Sequence, residues 1–162
     1  YNYTRLKTDV YANVNLGGSL IYFRIKTLTY DGEPPAQQYV GLTDDQPIYF
    51  NGMGDVSFIF PENHNPRGWS GYRLGDRLIY GSLEYRMPIL PKAISLNLVS
   101  DFGNAWWSSE QTKKDMVITA GYEFRFSLGP AILAGGDAQL INEWKENKKP
   151  LRYYRLVLTT PF

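Results

Sequence analysis

The chain has 162 residues with a net charge of +1, a near-neutral balance without the basic stripe that marks a nucleic-acid binder. It has no cysteine and a single histidine, His64, which excludes disulfides, thiol chemistry and His-cluster or Cys metal sites. No run of about 18 apolar residues occurs, so no transmembrane helix is expected. A transmembrane β-barrel stays open, because its polar lumen face dilutes the hydropathy.

Tyr1-Asn-Tyr-Thr-Arg5 lacks the apolar core of a signal peptide, so the chain reads as mature or as a piece of something longer. Tyr3 to Leu16 then alternates strictly. Tyr3, Arg5, Lys7, Asp9, Tyr11, Asn13 and Asn15 share one face; Thr4, Leu6, Thr8, Val10, Ala12, Val14 and Leu16 share the other. Period two predicts a strand, far longer than the usual about five or six residues. Gly17-Gly18 predicts a tight hairpin. Leu20 to Tyr30 is the returning strand, with Ile21, Phe23, Ile25 and Thr27 opposite Tyr22, Arg24 and Lys26.

From residue 31 to residue 76 the alternation fails. Pro34-Pro35, Asn51-Gly-Met-Gly54, Pro61 and Pro66 interrupt it, and only Val56 to Phe60 offers a short apolar piece for local pairing. A segment of about 45 residues without periodicity is uncommon unless it is functional or disordered. Late in it stands Asn65-Pro-Arg-Gly-Trp69.

Arg77 to Met87 is the next strand, with Ile79, Gly81, Leu83, Tyr85 and Met87 opposite Tyr80, Ser82, Glu84 and Arg86. Pro88 to Pro91 turns it. Ala93 to Gly103 follows, with Ile94, Leu96, Leu98 and Phe102 opposite Ser95, Asn97, Val99 and Asp101. Asn104 to Lys114 reads as a polar loop carrying Trp106-Trp107. Asp115 to Leu128 sets Met116, Ile118, Ala120, Tyr122, Phe124, Phe126 and Leu128 against Val117, Thr119, Gly121, Glu123, Arg125 and Ser127. Gly129-Pro130 turns it into Ala131 to Ile141, with Asp137 and Gln139 on one face. Asn142 to Pro150 is a charged loop. Leu151 to Phe162 ends the chain, with Tyr154, Leu156, Leu158, Thr160 and Phe162 on one face.

Seven strands of about 11 to 14 residues approach the length that a tilted strand needs to cross a bilayer. Their connections alternate short and long, as in an outer-membrane barrel with short periplasmic turns and long outer loops. Each strand also has one face nearly free of charge, as expected where an Arg or Lys facing lipid costs roughly 2–4 kcal/mol at mid-membrane. A soluble β-sandwich or lipocalin-like barrel alternates too, but turns its apolar face inward. Strand length, turn asymmetry and the Tyr and Trp near strand ends favour the membrane reading.

If the short turns are periplasmic, the chain ends on that side and its first strand starts outside. Bacterial barrels normally have an even number of strands with both ends periplasmic, and an open sheet in lipid would expose its backbone edges. Upstream strands are therefore expected, making this the C-terminal part of a larger barrel. An unrecognised strand within 36–60 would instead give eight and weaken the orientation argument.

The ordered set Arg67-Gly68-Trp69, Glu84-Tyr85-Arg86-Met87-Pro88, Asp101-Phe102-Gly103-Asn104-Ala105-Trp106, Gly129-Pro130 and the final Phe162 resembles the C-terminal half of the BamA/TamA superfamily of bacterial surface-antigen barrels. The resemblance covers about residues 1–162 and is densest over 66–162. It implies an all-β fold, about 7–8 strands of an antiparallel transmembrane barrel of about 16, in the bacterial outer membrane. It also implies that the loop at about 31–76 folds into the lumen, with the Arg of its Arg-Gly-aromatic motif held by acidic residues on the next two strands. The matching positions are Arg67, Glu84 and Asp101, with Gly68 and Trp69 completing the motif; Trp69 replaces the more common Phe or Tyr. The competing reading pairs Glu84 and Asp101 with neighbours such as Arg86 or Arg125. Tyr154, Leu156, Leu158 and Phe162 resemble the C-terminal strand signal read by assembly machinery.

No enzymatic constellation, metal site or cofactor site stands out. His64 reads as a solvated loop residue. Glu33, Asp44, Asp45 and Asp55 lack the tight spacing of a metal site, and no strand-to-helix unit frames Gly52-Met-Gly54 as a phosphate loop. The function implied by the resemblance is insertion of proteins into the outer membrane or their translocation across it. The implied partners are outer-membrane lipid and lipopolysaccharide, the upstream barrel strands, unfolded outer-membrane proteins, and periplasmic or lipoprotein subunits; no nucleic acid is implied. The alternatives are a barrel that anchors a fused domain such as a patatin-like lipase, or a structural barrel without a transport role.

Overall fold

A computed structural model of the chain describes residues 2–35, 39–43, 48–50, 54–56, 63–64, 66–109, 115–129, 131–144 and 148–158. Two long strands come first, β1 (Tyr3–Leu16) and β2 (Ser19–Gly32). Five short ones follow: β3 (Val40–Thr43), β4 (Ile48–Phe50), β5 (Gly54–Val56), β6 (Asn63–His64) and β7 (Tyr72–Gly75). Long strands then resume with β8 (Arg77–Leu90), β9 (Ile94–Trp106), β10 (Val117–Leu128) and β11 (Ala131–Leu140). One helical turn, α1 (Ile141–Trp144), precedes β12 (Leu151–Leu158).

The seven long strands form one antiparallel sheet in the order β1-β2-β8-β9-β10-β11-β12, so each pairs with the next long strand along the chain. The β4–β5 hairpin extends it beyond β12 through a short parallel pairing. The remaining short strands make a separate three-stranded sheet, β6-β3-β7. The β1–β2 turn is Gly17-Gly18, both at positive φ, as a two-residue hairpin requires.

Strand limits differ from the alternation at several points. β9 runs on to Trp106, because Arg77 still pairs with Trp106 and Leu78 with Ala105. Asn104 to Trp106 is thus strand, where polar composition reads as loop. β8 likewise continues to Leu90, through an irregularity between Pro88 and Leu90 where proline cannot donate to the ladder. The local pairing expected at Val56 to Phe60 lies at Gly54–Val56, against Ile48–Phe50; 57–60 are outside the described residues. α1 opens the connection read as purely a loop. Thr160 and Phe162 lie outside the described residues.

The two faces of the sheet are unlike. One face carries Leu28 and Tyr30 of β2, Leu78 and Glu84 of β8, Asn97 and Asp101 of β9, and Thr119 and Glu123 of β10, all buried. The other carries Leu6, Val10, Leu83, Leu98, Ile118, Phe124 and Leu133, all exposed. The segment between β2 and β8 lies on the first face, where β3 contacts β8 and β9. Its Val40 and Leu42 join Leu28, Tyr30, Leu78, Ala105 and Val117 in an apolar cluster, flanked by Trp69, Tyr80 and Leu140. Tyr30 N donates to Asp76 O at 3.0 Å and closes the base of the segment.

Candidate functional site: a buried arginine under the long loop

Pro66 to Trp69 is short, but its chemistry fixes its shape. Trp69 N donates to Pro66 O at 3.2 Å, making a tight turn with Arg67 and Gly68 inside it. Gly68 has φ 75°, a conformation that L side chains rarely adopt. A Cβ there would lie 2.2 Å from the Ala138 backbone of β11. The turn therefore presses directly on β11, and the small side chains Ala134 and Ala138 on that face leave it room. Trp69 covers the turn from the side of the apolar cluster, with the Arg73 guanidinium 5.9 Å from its ring.

Turn and strands together bury the Arg67 guanidinium among carboxylates. Arg67 Nε donates to Asp101 Oδ2 at 2.7 Å and Nη2 donates to Oδ1 at 2.5 Å, a two-pronged bond to one carboxylate. The Arg67 backbone N–H adds a third bond to Asp101 Oδ2 at 2.8 Å. Nη1 donates to Glu84 Oε1 at 2.8 Å, and Nη2 to Ser82 Oγ at 2.6 Å. Glu123 Oε2 stands 3.8 Å from Nη1. Burial by itself favours the neutral form. Asp101, by charge and hydrogen bonding, and then Glu84 and Glu123 outweigh it, holding the pKa well above the ordinary arginine value.

The competing partners are present as well. Arg125 Nη2 donates to both Glu84 oxygens, at 2.9 and 2.8 Å, and Arg125 Nε donates to Glu123 Oε1 at 2.5 Å. Arg86 Nε donates to Glu84 Oε2 at 2.8 Å. Arg67 and the neighbouring arginines thus share Glu84, while Asp101 bonds Arg67. Among the described contacts, three arginines face three carboxylates. A lysine at position 67 has no fork to match this arrangement.

The alternation places Glu84, Asp101, Glu123 and Arg125 on the faces where the structure has them. What the sequence reading missed is Glu123 as a third anion and Ser82 as a neutral acceptor. A signal for Glu123 exists: it shares the polar face of its strand with Arg125. Its proximity to Arg67, however, depends on the register Glu123↔Asn97.

His64 is corrected. It is 2% exposed rather than solvated, and its ring stacks on Tyr80 at 4.7 Å between centroids. It is buried because β6 pairs with β3, the strand of the loop that packs on β8 and β9. Of the C-terminal strand residues, Tyr154 and Leu156 are exposed on the outward face. Leu158 ends β12, and Phe162 is outside the described residues. Among the described residues no group of three or more His, Asp or Glu side chains is placed to hold a metal ion.

Fold and site together define an all-β protein whose long antiparallel sheet buries the polar face of β8 to β10 under a loop that carries one buried arginine. No family model matches the chain, and no curated protein does either.

Proposed function

We propose that the chain forms part of an outer-membrane β-barrel of the BamA/TamA type, which inserts proteins into the bacterial outer membrane or moves them across it. The observation that carries this reading is the Arg67 network, a loop arginine buried against Glu84 and Asp101 on successive strands. The reversed polarity of the sheet supports it. From β8 to β10 the face with the carboxylates Glu84, Asp101 and Glu123 is buried, while Leu83, Leu98, Phe124 and, on β11, Leu133 face outward. A water-soluble sheet buries its apolar face instead, and an outward apolar band is what hydrocarbon accepts.

In this reading the loop fills the lumen and Arg67 pins it. The edge of β1, which among the described residues pairs only with β2, joins further strands, because a bilayer leaves no backbone edge unpaired. The work on substrate is conformational and needs no nucleotide chemistry. Unfolded outer-membrane proteins are the substrates, with periplasmic or lipoprotein subunits delivering them.

The test is reconstitution of the full-length protein into vesicles with an unfolded barrel protein added outside. Faster substrate folding than in empty vesicles is expected, and Arg67→Ala should remove most of the gain. Substrate folding at the empty-vesicle rate would overturn the assembly function.

A further inference from the structure

Among the described residues of the long strands, the outward face of the sheet is charge-free along most of its width, with one exception. From β1 to β10 its charges are confined to strand ends, at Asp31 and Arg77. On β11 and β12 it carries Asp137 and Arg152, opposite each other in register. Arg152 Nε donates to Asp137 Oδ1 at 3.0 Å, and the Tyr122 hydroxyl donates to Asp137 Oδ2 at 2.7 Å. The two charges are not equally covered: the Asp137 side chain is 13% exposed and the Arg152 side chain 69%. The carboxylate serves to aim the guanidinium, which shows most of its surface to the outside. Asp137 balances Arg152 on the face itself, and Lys148 and Lys149, exposed just before β12, add two positive charges next to this row in the chain.

A groove of about 360 Å³ adjoins this row and is otherwise mostly apolar. Phe124 and Phe126 of β10 line one side, Tyr154 of β12 the other, and Leu133 of β11 lies between them. Gly135 makes part of the floor, where a Cβ would lie 2.8 Å from the Tyr154 ring. Below the polar row, the registers Phe124↔Gly135↔Tyr154 and Phe126↔Leu133↔Leu156 continue toward the Gly129 turn. At about 3.4 Å per residue that stripe is on the order of 20 Å long, the scale of an acyl chain.

We propose that this groove binds a phosphate-bearing glycolipid of the outer leaflet, with phosphate at Arg152, Lys148 and Lys149 and an acyl chain along Phe124, Leu133 and Tyr154. The inference rests on the outer-membrane reading, in which the short β10–β11 turn is periplasmic and the end with Lys148 and Lys149 therefore lies toward the outer leaflet. Guanidinium geometry matches phosphate oxygens, and three cations suit a headgroup with more than one phosphate. A peptide adding as a strand is disfavoured, since β11 is paired on both edges, with β10 and β12.

The experiment places the full-length protein in phosphatidylethanolamine vesicles doped equally with lipopolysaccharide and phosphatidylglycerol. Lipids retained after gentle extraction are counted by native mass spectrometry, and protease protection reports insertion. At least tenfold enrichment of lipopolysaccharide over phosphatidylglycerol is expected. The triple variant Lys148→Gln, Lys149→Gln, Arg152→Gln should lose at least fivefold of that enrichment, and so should Leu133→Trp, which fills the groove without altering charge. Equal retention of the two lipids by the natural sequence, or unchanged enrichment in both variants, overturns the site. An inserted, protected protein without enrichment refutes the site alone; a protein that never inserts refutes the membrane reading and the site with it.

Discussion

β1 and β9 have the same alternating design and opposite surroundings. All 14 residues of β1 are exposed, although its polar face carries Arg5, Lys7 and Asp9 in the manner of a strand lining an interior. β9 buries Asn97, Val99, Asp101, Gly103, Asn104 and Ala105. The difference is the cover. The turn Pro66 to Trp69 and the strand β3 lie on β8 to β11, while among the described residues β1 has a strand on one side only. Alternation assigns residues to faces, but only a second layer removes a face from water. The same difference separates two ion pairs. Asp9–Arg24, at 2.7 Å, is about one-third exposed, whereas Asp101–Arg67, at 2.5 Å, is buried.

The contrast is broken most severely by Arg67→Ala, which leaves Asp101 buried without the cation it bonds and leaves Glu84 to Arg86 and Arg125. Removing one partner of a buried pair costs about 3–5 kcal/mol. A denaturant titration in detergent should show that loss, together with faster proteolysis of the 31–76 loop. A stability change below about 1 kcal/mol would mean that the loop is held by its apolar contacts instead. Gly68→Val should come next. It adds a β-branched side chain at positive φ, worth about 1–3 kcal/mol, and pushes on the Ala138 backbone. The same titration measures it, and a tolerated valine would contradict the close approach to β11.

Arg67→Lys tests geometry apart from charge. Lysine keeps the positive charge but not the fork, so a loss of about 1.5–3 kcal/mol is expected, the scale of a hydrogen bond to a charged group. Lysine behaving like arginine would show that net charge alone holds the network. The smallest effect should come from the exposed pair. A double-mutant cycle of Asp9→Asn with Arg24→Gln should give a coupling of about 1 kcal/mol or less. A coupling near that of the Arg67 pair would mean that β1 is covered in the assembled protein.

Much of this was legible in the sequence because strand chemistry is periodic. A two-residue period marks a strand and its faces without knowledge of neighbours, which is why Ile79 to Met87 and Val117 to Leu128 could be divided correctly, although Asp115 and Met116, expected in the latter strand, lie before it. It also put Glu84 and Asp101 on the polar faces. The ends were harder: Asn104 to Trp106 reads as loop by composition, yet pairing with Arg77 to Ile79 extends the strand. The loop was least legible. Nothing local says that His64 stacks on Tyr80, or that Asp137 faces outward in company with Arg152.

By itself the sequence determined the seven long strands, their faces and the glycines at the Gly17-Gly18 turn, since backbone sterics and pleat are local properties. It also supplied an arginine, three carboxylates and a glycine suited to a tight turn. The tertiary structure decided which of them meet. Glu84, Asp101 and Glu123 lie on three different strands, and only sheet register brings their oxygens to one point. Only the descent of the loop carries Arg67 there, and only there does the low dielectric make a guanidinium with two carboxylates stronger than any surface pair.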